Sequence, residues 1–340
     1  MQELTAENAG QYLHDRGWIA NVPVRAEPLG WGVSNLVLRI VTPGQSFVLK
    51  QSRPRLRTLD PWFSDLERVY REEEVMRALF PLLPEPTVPR VLFSDRANYV
   101  FAMTEAPAAS RVWKEVLLSG EVDLAVAEQA GSILGRIHEA TAQNPAIVAP
   151  FHDRAVFIQL RVDPFYRKVQ ERRPEVAREV GIIADRMLSR QDALCHGDYS
   201  PKNILVHDRG FTLVDYETAH WGDPTMDPGF FLSHLMLKAA RRPALREKFF
   251  ELTRAFWRAY LDAVQFCPPT ELASRAIEHF GVCALARIDG TSPVDYLTDE
   301  SNREAVRELA RWVLRERPLQ WEEVLQKSES QISSLAIEGN

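Results

Sequence analysis

The 340-residue chain has no run of about 18 consecutive apolar residues, so nothing in it is expected to span a membrane. Its start carries Glu3 and Glu7 where a signal peptide would be apolar, so no such peptide is expected. Cysteine is scarce: Cys195, Cys267 and Cys283 are odd in number and lack metal-ligand spacing. Free thiols in a reducing, cytoplasmic setting are the simplest account. Neither sign of charge is in large excess, and the net charge of -6 gives no support for a nucleic-acid or membrane partner. It suits a cationic substrate, and solubility alone explains it equally well. Internal repeats and low-complexity blocks are absent, and the Ser-rich end from Ser328 is expected to fray. What remains is ordinary for a globular protein, with 45% apolar and 26% charged residues. The length allows two lobes, because a single core rarely grows beyond roughly 250–300 residues.

The most informative segment is Leu194-Cys195-His196-Gly197-Asp198-Tyr199-Ser200-Pro201-Lys202-Asn203-Ile204-Leu205-Val206, followed by Phe211-Thr212-Leu213-Val214-Asp215. Residues 204–206 and 211–214 read as two strands around the turn 207–210. That hairpin sets Asn203 and Asp215 at neighbouring strand ends, where both can touch one ion. A lone Asp near a turn is usually a cap. Here the order and context match phosphoryl transfer: one carboxylate to orient a hydroxyl, and an amide oxygen plus a second carboxylate for magnesium.

Upstream, residues 5–16 read as a helix capped by Thr5 and ended by Gly17. Strands are expected over 33–40, 46–50, 88–93 and 99–103, with a helix over 64–80. Leu29-Gly30-Trp31-Gly32-Val33-Ser34-Asn35 leads this region, and two glycines let backbone amides approach phosphate. On its own such a pair is better explained by a plain β-turn; here it precedes two strands and a lysine. Lys50 ends the apolar strand Phe47-Val48-Leu49-Lys50, where a cation is unexpected. Val69, Glu72, Met76 and Leu79 share a helix face, which makes Glu72 the preferred partner of Lys50, with Glu73 fitting nearly as well. Residues 104–108 form a hinge, after which helices are expected over 123–140, 175–189, 228–240, 244–261, 270–286 and 301–315.

These motifs resemble the aminoglycoside phosphotransferase and choline kinase superfamily, relatives of the protein kinases, over nearly the whole chain. The resemblance implies a bilobal α+β fold. Residues 1–105 would form a small antiparallel sheet lobe with one helix, and residues 106–340 a larger, mostly helical lobe. It implies ATP and magnesium. Asp198 would be the catalytic carboxylate, and Asn203 and Asp215 the metal ligands. Gly30, Gly32, Ser34, Lys50, Glu72, Thr104 and Ala106 would face the nucleotide, with Asn35 beside Ser34. It also gives Asp227 the task of tying its helix to the catalytic loop. Asp227 before Pro228 reads as an N-cap with Pro at the first helical position. Asp223, His138 and His196 are read as scaffold, and Cys195 as buried.

For the acceptor the sequence is less specific. Residues 286–297 are similar to a segment of 5-methylthioribose kinases in which two arginines reach the active site. Only Arg287 of that pair is present, and Asp289 is its alternative, purely structural partner. A sugar-like hydroxyl acceptor is therefore expected, ahead of an aminoglycoside or an amino alcohol. The aminoglycoside reading would need acids such as Asp289, Asp295, Asp299 and Glu300 around the pocket. A silent nucleotide-binding module would usually have lost Lys50, Asp198 or Asp215. A protein kinase would show a longer activation segment ending in Ala-Pro-Glu.

Overall fold

The structure is a computed structural model and describes residues 1–30, 35–53, 65–142 and 144–338. The N-terminal part is a five-stranded antiparallel sheet in the order β1-β2-β3-β5-β4. Its strands are β1 (Arg25–Pro28), β2 (Asn35–Val41), β3 (Ser46–Ser52), β4 (Val91–Asp95) and β5 (Val100–Thr104). Alternation sets its two faces. Phe47 and Leu49 pack with Tyr12 and Leu13 of the helix Ala9–Asp15. Val48 points the other way, onto Val69, Met76 and Leu79 of the helix Arg68–Leu79. Lys50 follows Val48 on that second face, which aims it at the same helix.

The first helix is shorter than the sequence suggested. Thr5 and Asn8 exchange hydrogen bonds in a turn, the helix begins at Ala9, and Gly17 (φ 68°) leads the chain out. β1 was not anticipated, since its four residues show no apolar alternation.

Beyond the connection the chain is mostly helical, giving two lobes. The helices Leu124–Ala142, Ala177–Ser189, Met226–Arg241, Arg246–Asp262, Pro269–Asp289 and Glu300–Glu316 match the expected ones within a few residues. Gly131 permits the closest of these contacts: a Cβ there would stand 2.1 Å from the Phe256 carbonyl oxygen. The end is a helix, Trp321–Glu338, rather than a frayed tail. Trp321, Val324 and Leu325 are buried in the core, and the Ser328 hydroxyl lies 3.3 Å from Met236 Sδ. Against this helical body sits the hairpin Ile204–His207 and Gly210–Leu213, with Ile204 opposite Leu213, as the sequence predicted. Among the described residues no helix is long and apolar enough to cross a membrane.

Candidate active site

The hairpin brings its two ends together, and the Val214 N–H donates to the Asn203 carbonyl at 3.0 Å. Asp215 follows in a left-handed backbone conformation (φ 72°), uncommon for a residue with a side chain. Its carboxylate meets the Lys50 ammonium at 3.0 Å, and the same ammonium reaches Glu72 Oε2 at 2.5 Å. Glu72 is therefore the partner of Lys50, while Glu73 is paired with Arg77. One lysine thus bridges the two lobes. Burial opposes the charge on all three groups, and Lys50, followed by Lys202, holds Asp215 well below the usual carboxylate range. Glu72 goes the other way: burial pushes it up to about 7 against the attraction of Lys50, with Asp215 adding repulsion.

Asp198 is 3% exposed and held from three sides. Arg161 lies at 2.7 Å, Lys202 at 2.9 Å and the Asn203 amide at 2.9 Å from Oδ2. Burial raises its carboxyl, but Arg161 and Lys202 more than offset this and keep it below its ordinary value. Asn203 spends its NH2 group on the Asp198 side chain and carbonyl. Its Oδ1 is left as a hard acceptor, and with Asp215 it makes a donor set suited to magnesium.

The loop carrying Asp198 is fixed from beneath. Asp227 accepts the N–H groups of His196 (2.7 Å) and Gly197 (2.8 Å), and lies 3.3 Å from His138 Nε2. His138 is also 3.0 Å from the Tyr260 hydroxyl, so its structural reading stands. Gly197 has φ 76°, and a Cβ there would lie 2.7 Å from the Thr218 carbonyl oxygen, which explains the glycine. His196 Nδ1 accepts the Asp198 N–H at 3.2 Å, and burial lowers its pKa. Cys195 is buried as expected. Asp227 is not an N-cap: the helix starts at Met226, after Thr225, leaving the Asp227 carboxylate free to face the loop. Asp223 is likewise scaffold, accepting from Thr225 and pairing with Arg275.

The other expected residues fare unevenly. Gly32 and Ser34 lie outside the described residues. Gly30 has nothing within 4 Å of a Cβ built on it. The Asn35 side-chain amide donates to Glu217 at 2.8 Å and accepts from Arg68. Thr104 ends β5 with its hydroxyl accepting the Arg90 N–H at 2.9 Å, and Ala106 is half-buried just after it. Arg287 does not pair with Asp289, which is taken by Arg173 and Arg307. Its guanidinium meets Ser292 instead. Asp295 has its side chain 83% exposed, 3.8 Å from Lys114.

Arg161 and Lys202 were missed. Lys202 looks like any solvated lysine, but Arg161 is a lone cation in the stretch 155–162, apolar otherwise except for Gln159, a signal close to the one that singled out Lys50.

A family model described as "Phosphotransferase enzyme family" matches residues 25–267. A methylthioribose kinase from Exiguobacterium sibiricum is 27% identical over 269 residues, covering 70% of this chain and 67% of the relative. One from Pectobacterium carotovorum is 24% identical over 321 residues, covering 83% and 80%. Among solved structures, a choline/ethanolamine kinase family protein from Mesorhizobium loti superposes with a TM-score of 0.55 at 20% identity, over 95% of this chain and 98% of the other. The spectinomycin phosphotransferase APH(9)-Ia gives 0.53 at 11% identity, over 97% and 99%. At these identities the two superpositions speak for the fold.

Proposed function

The chain belongs to the phosphotransferase enzyme family, and on that premise we propose that it is an ATP- and magnesium-dependent kinase of a small, sugar-like hydroxyl compound. The observation that carries the reading is the Lys50 ammonium shared between Glu72 and Asp215, beside an Asp198 gripped in its ionised form. Magnesium-ATP, when bound, supplies the phosphoryl group and the positive charge that offsets its oxygens. Lys50, kept in place by Glu72, meets the triphosphate, and Asn203 with Asp215 offers the metal its oxygens. Asp198 accepts the hydrogen bond of the attacking hydroxyl, orients that oxygen, and takes its proton as the new oxygen–phosphorus bond forms and the bond from the γ-phosphorus to the bridging oxygen breaks, releasing ADP. A carboxylate held well ionised is a weak base, so its main contribution is orientation.

The small lobe, 1–105, then carries the nucleotide site with Gly30, Gly32, Ser34, Thr104 and Ala106, and the rest of the chain carries the acceptor. A reducing, cytoplasmic setting suits the three free cysteines. Likeness to methylthioribose kinases favours a sugar. An aminoglycoside is disfavoured, because Asp289 and Glu300 are neutralised by Arg307 and Asp299 caps its helix. Turnover of magnesium-ATP screened against sugars, aminoglycosides and amino alcohols tests the reading. ADP release that depends on a sugar-like acceptor is expected. A chain that binds no magnesium-nucleotide refutes it.

A further inference from the structure

The large-lobe wall beside Asp198 holds an excess of cations. Lys238, in the helix Met226–Arg241, is 2% exposed, and its ammonium donates one hydrogen bond, to the His234 carbonyl at 3.1 Å. Among the described residues it makes no ion pair with a carboxylate. Arg287 is similar: among the described residues its guanidinium hydrogen-bonds to Ser292, lies 5.9 Å from the Phe165 ring and makes no ion pair, and its buried Nε has no partner. Between them lies Tyr296, its ring 5.2 Å from the Lys238 ammonium and its buried hydroxyl unpartnered. Arg161 joins this wall to the reaction centre, since its guanidinium lies 5.8 Å from the centre of the Phe165 ring and 2.7 Å from Asp198.

A buried ammonium with a single carbonyl partner destabilises a fold, and neighbouring like charges add to that. Burial, then Lys114 and Arg287, lowers the Lys238 amine to about 7, with only Glu115 opposing among its strongest influences. Burial, then Lys238 and Arg287, holds His234 well below its ordinary value. Glu115 acts on Lys238, and Asp198 and Asp295 act on Arg287, from a distance, but among the described residues no carboxylate forms an ion pair with either cation. Lys238, Arg287 and the Tyr296 hydroxyl are all donors, and the missing complement is an oxyanion.

We propose that the acceptor is an acid, a polyhydroxy carboxylate whose carboxylate is bound by Lys238, Arg287 and the Tyr296 hydroxyl while one of its hydroxyls reaches Asp198. The proposal rests on the kinase reading and narrows it. A sugar phosphate presents an oxyanion too, so the experiment separates the two sources.

The full chain is assayed for ADP release on pairs matched in skeleton, gluconate against glucose and ribonate against ribose, with ribose 5-phosphate as the phosphate arm. Melting temperature with each compound, and binding of a fluorescent ADP with magnesium, are measured in parallel. The acids are expected to stabilise the chain and to exceed their neutral partners in kcat/KM. Lys238→Met and Arg287→Gln should each raise the KM for the acid by roughly 10- to 100-fold, the effect of losing a hydrogen bond to a charged group. The KM for ATP should stay unchanged, which separates acceptor binding from contact with the transferring phosphoryl. Without ligand, Lys238→Met should melt no lower than the parent, because it removes an unpaired buried charge. Neutral sugars used as well as their acids overturn the proposal, as do acids that neither bind nor react while the ADP analogue still binds. Preference for ribose 5-phosphate over both carboxylates overturns the carboxylate. Failure to bind the ADP analogue removes the kinase reading, and the acid acceptor with it.

Discussion

Replacing Asp227 tests the support of the site without needing the acceptor. Its carboxylate is buried and accepts the backbone N–H groups of His196 and Gly197 at 2.7 and 2.8 Å, with His138 at 3.3 Å. Hydrogen bonds to a charged group contribute about 1.5–3 kcal/mol each, so the two backbone bonds together amount to about 3–6 kcal/mol. Bonds to one acceptor are not additive, and about 3–5 kcal/mol, as for stripping one partner from a buried charged pair, is the expected loss in Asp227→Ala. Asp227→Asn recovers at most one of the two bonds. Burial raises the Asp227 carboxyl, and hydrogen bonding from His138 and the His196 backbone outweighs that, so its folded-state pKa lies below the ordinary one. The stabilisation is therefore present at neutral pH and is lost as the pH falls through the folded value. Urea unfolding followed by tryptophan fluorescence, at pH 7 and again below pH about 4, measures it. The gap between parent and Asp227→Ala should be full at the first pH and narrower at the second. A gap under about 0.5 kcal/mol at pH 7, the size of an ordinary surface substitution, would refute the tether.

Asp198→Asn should lower turnover by roughly 10²–10⁴-fold with nucleotide affinity nearly intact, as for any positioned acid-base group; turnover equal to the parent's would remove Asp198 from the reaction. Asp215→Ala should abolish magnesium-dependent nucleotide binding, and Asn203→Ala should raise the magnesium requirement, both read from metal titrations with a fluorescent nucleotide. Glu72 is raised to about 7 in the fold, so its ionisation works against stability as the pH climbs from the unfolded value toward about 7. In the absence of nucleotide, Glu72→Gln should therefore gain on the parent in unfolding midpoint between pH about 5 and 8. A midpoint difference that is constant over that range contradicts the shift.

The hairpin and the long helices were legible because their signals are local. Residues 204–213 combine apolar strands with a turn, and the helices repeat their apolar positions at helical spacing. The face shared by Val69, Glu72, Met76 and Leu79 placed Glu72 correctly against Lys50, as all four are buried. Where structure depends on distant partners the sequence was silent. Arg161 acquires its role only because the segment Ile158–Arg167, a π-helix with Pro164 inside it, passes under the catalytic loop. Asn35 follows the glycine pair in sequence, and nothing local announces its side-chain partner Glu217, 182 residues away. Asp227 before Pro228 imitates an N-cap, but the first turn forms at Met226, and hydrogen bonding to His196 and Gly197 decides where the carboxylate points. The last helix was obscured by its serines, although Trp321, Val324 and Leu325 anchor it.

The seam between the lobes is built differently on its two sides. Near the hairpin it is backbone: the Leu213 N–H donates to the Thr87 carbonyl at 2.7 Å, and the Thr212 hydroxyl to that of Pro86 at 3.0 Å. Toward Asn35 it is ionic, with Arg68 at 3.2 Å from Glu217 and Lys50 at 3.0 Å from Asp215. A buried ion pair that parts into water regains its hydration, so most of its attraction is repaid on opening. A short backbone hydrogen bond between well-packed segments has less to regain. The lobes are thus fastened like a book, with a spine along Thr87 and Leu213 and a clasp of charges at the fore-edge. Buried as they are, these charges are screened little by dissolved salt while the clasp is shut, and salt meets them only once it has parted.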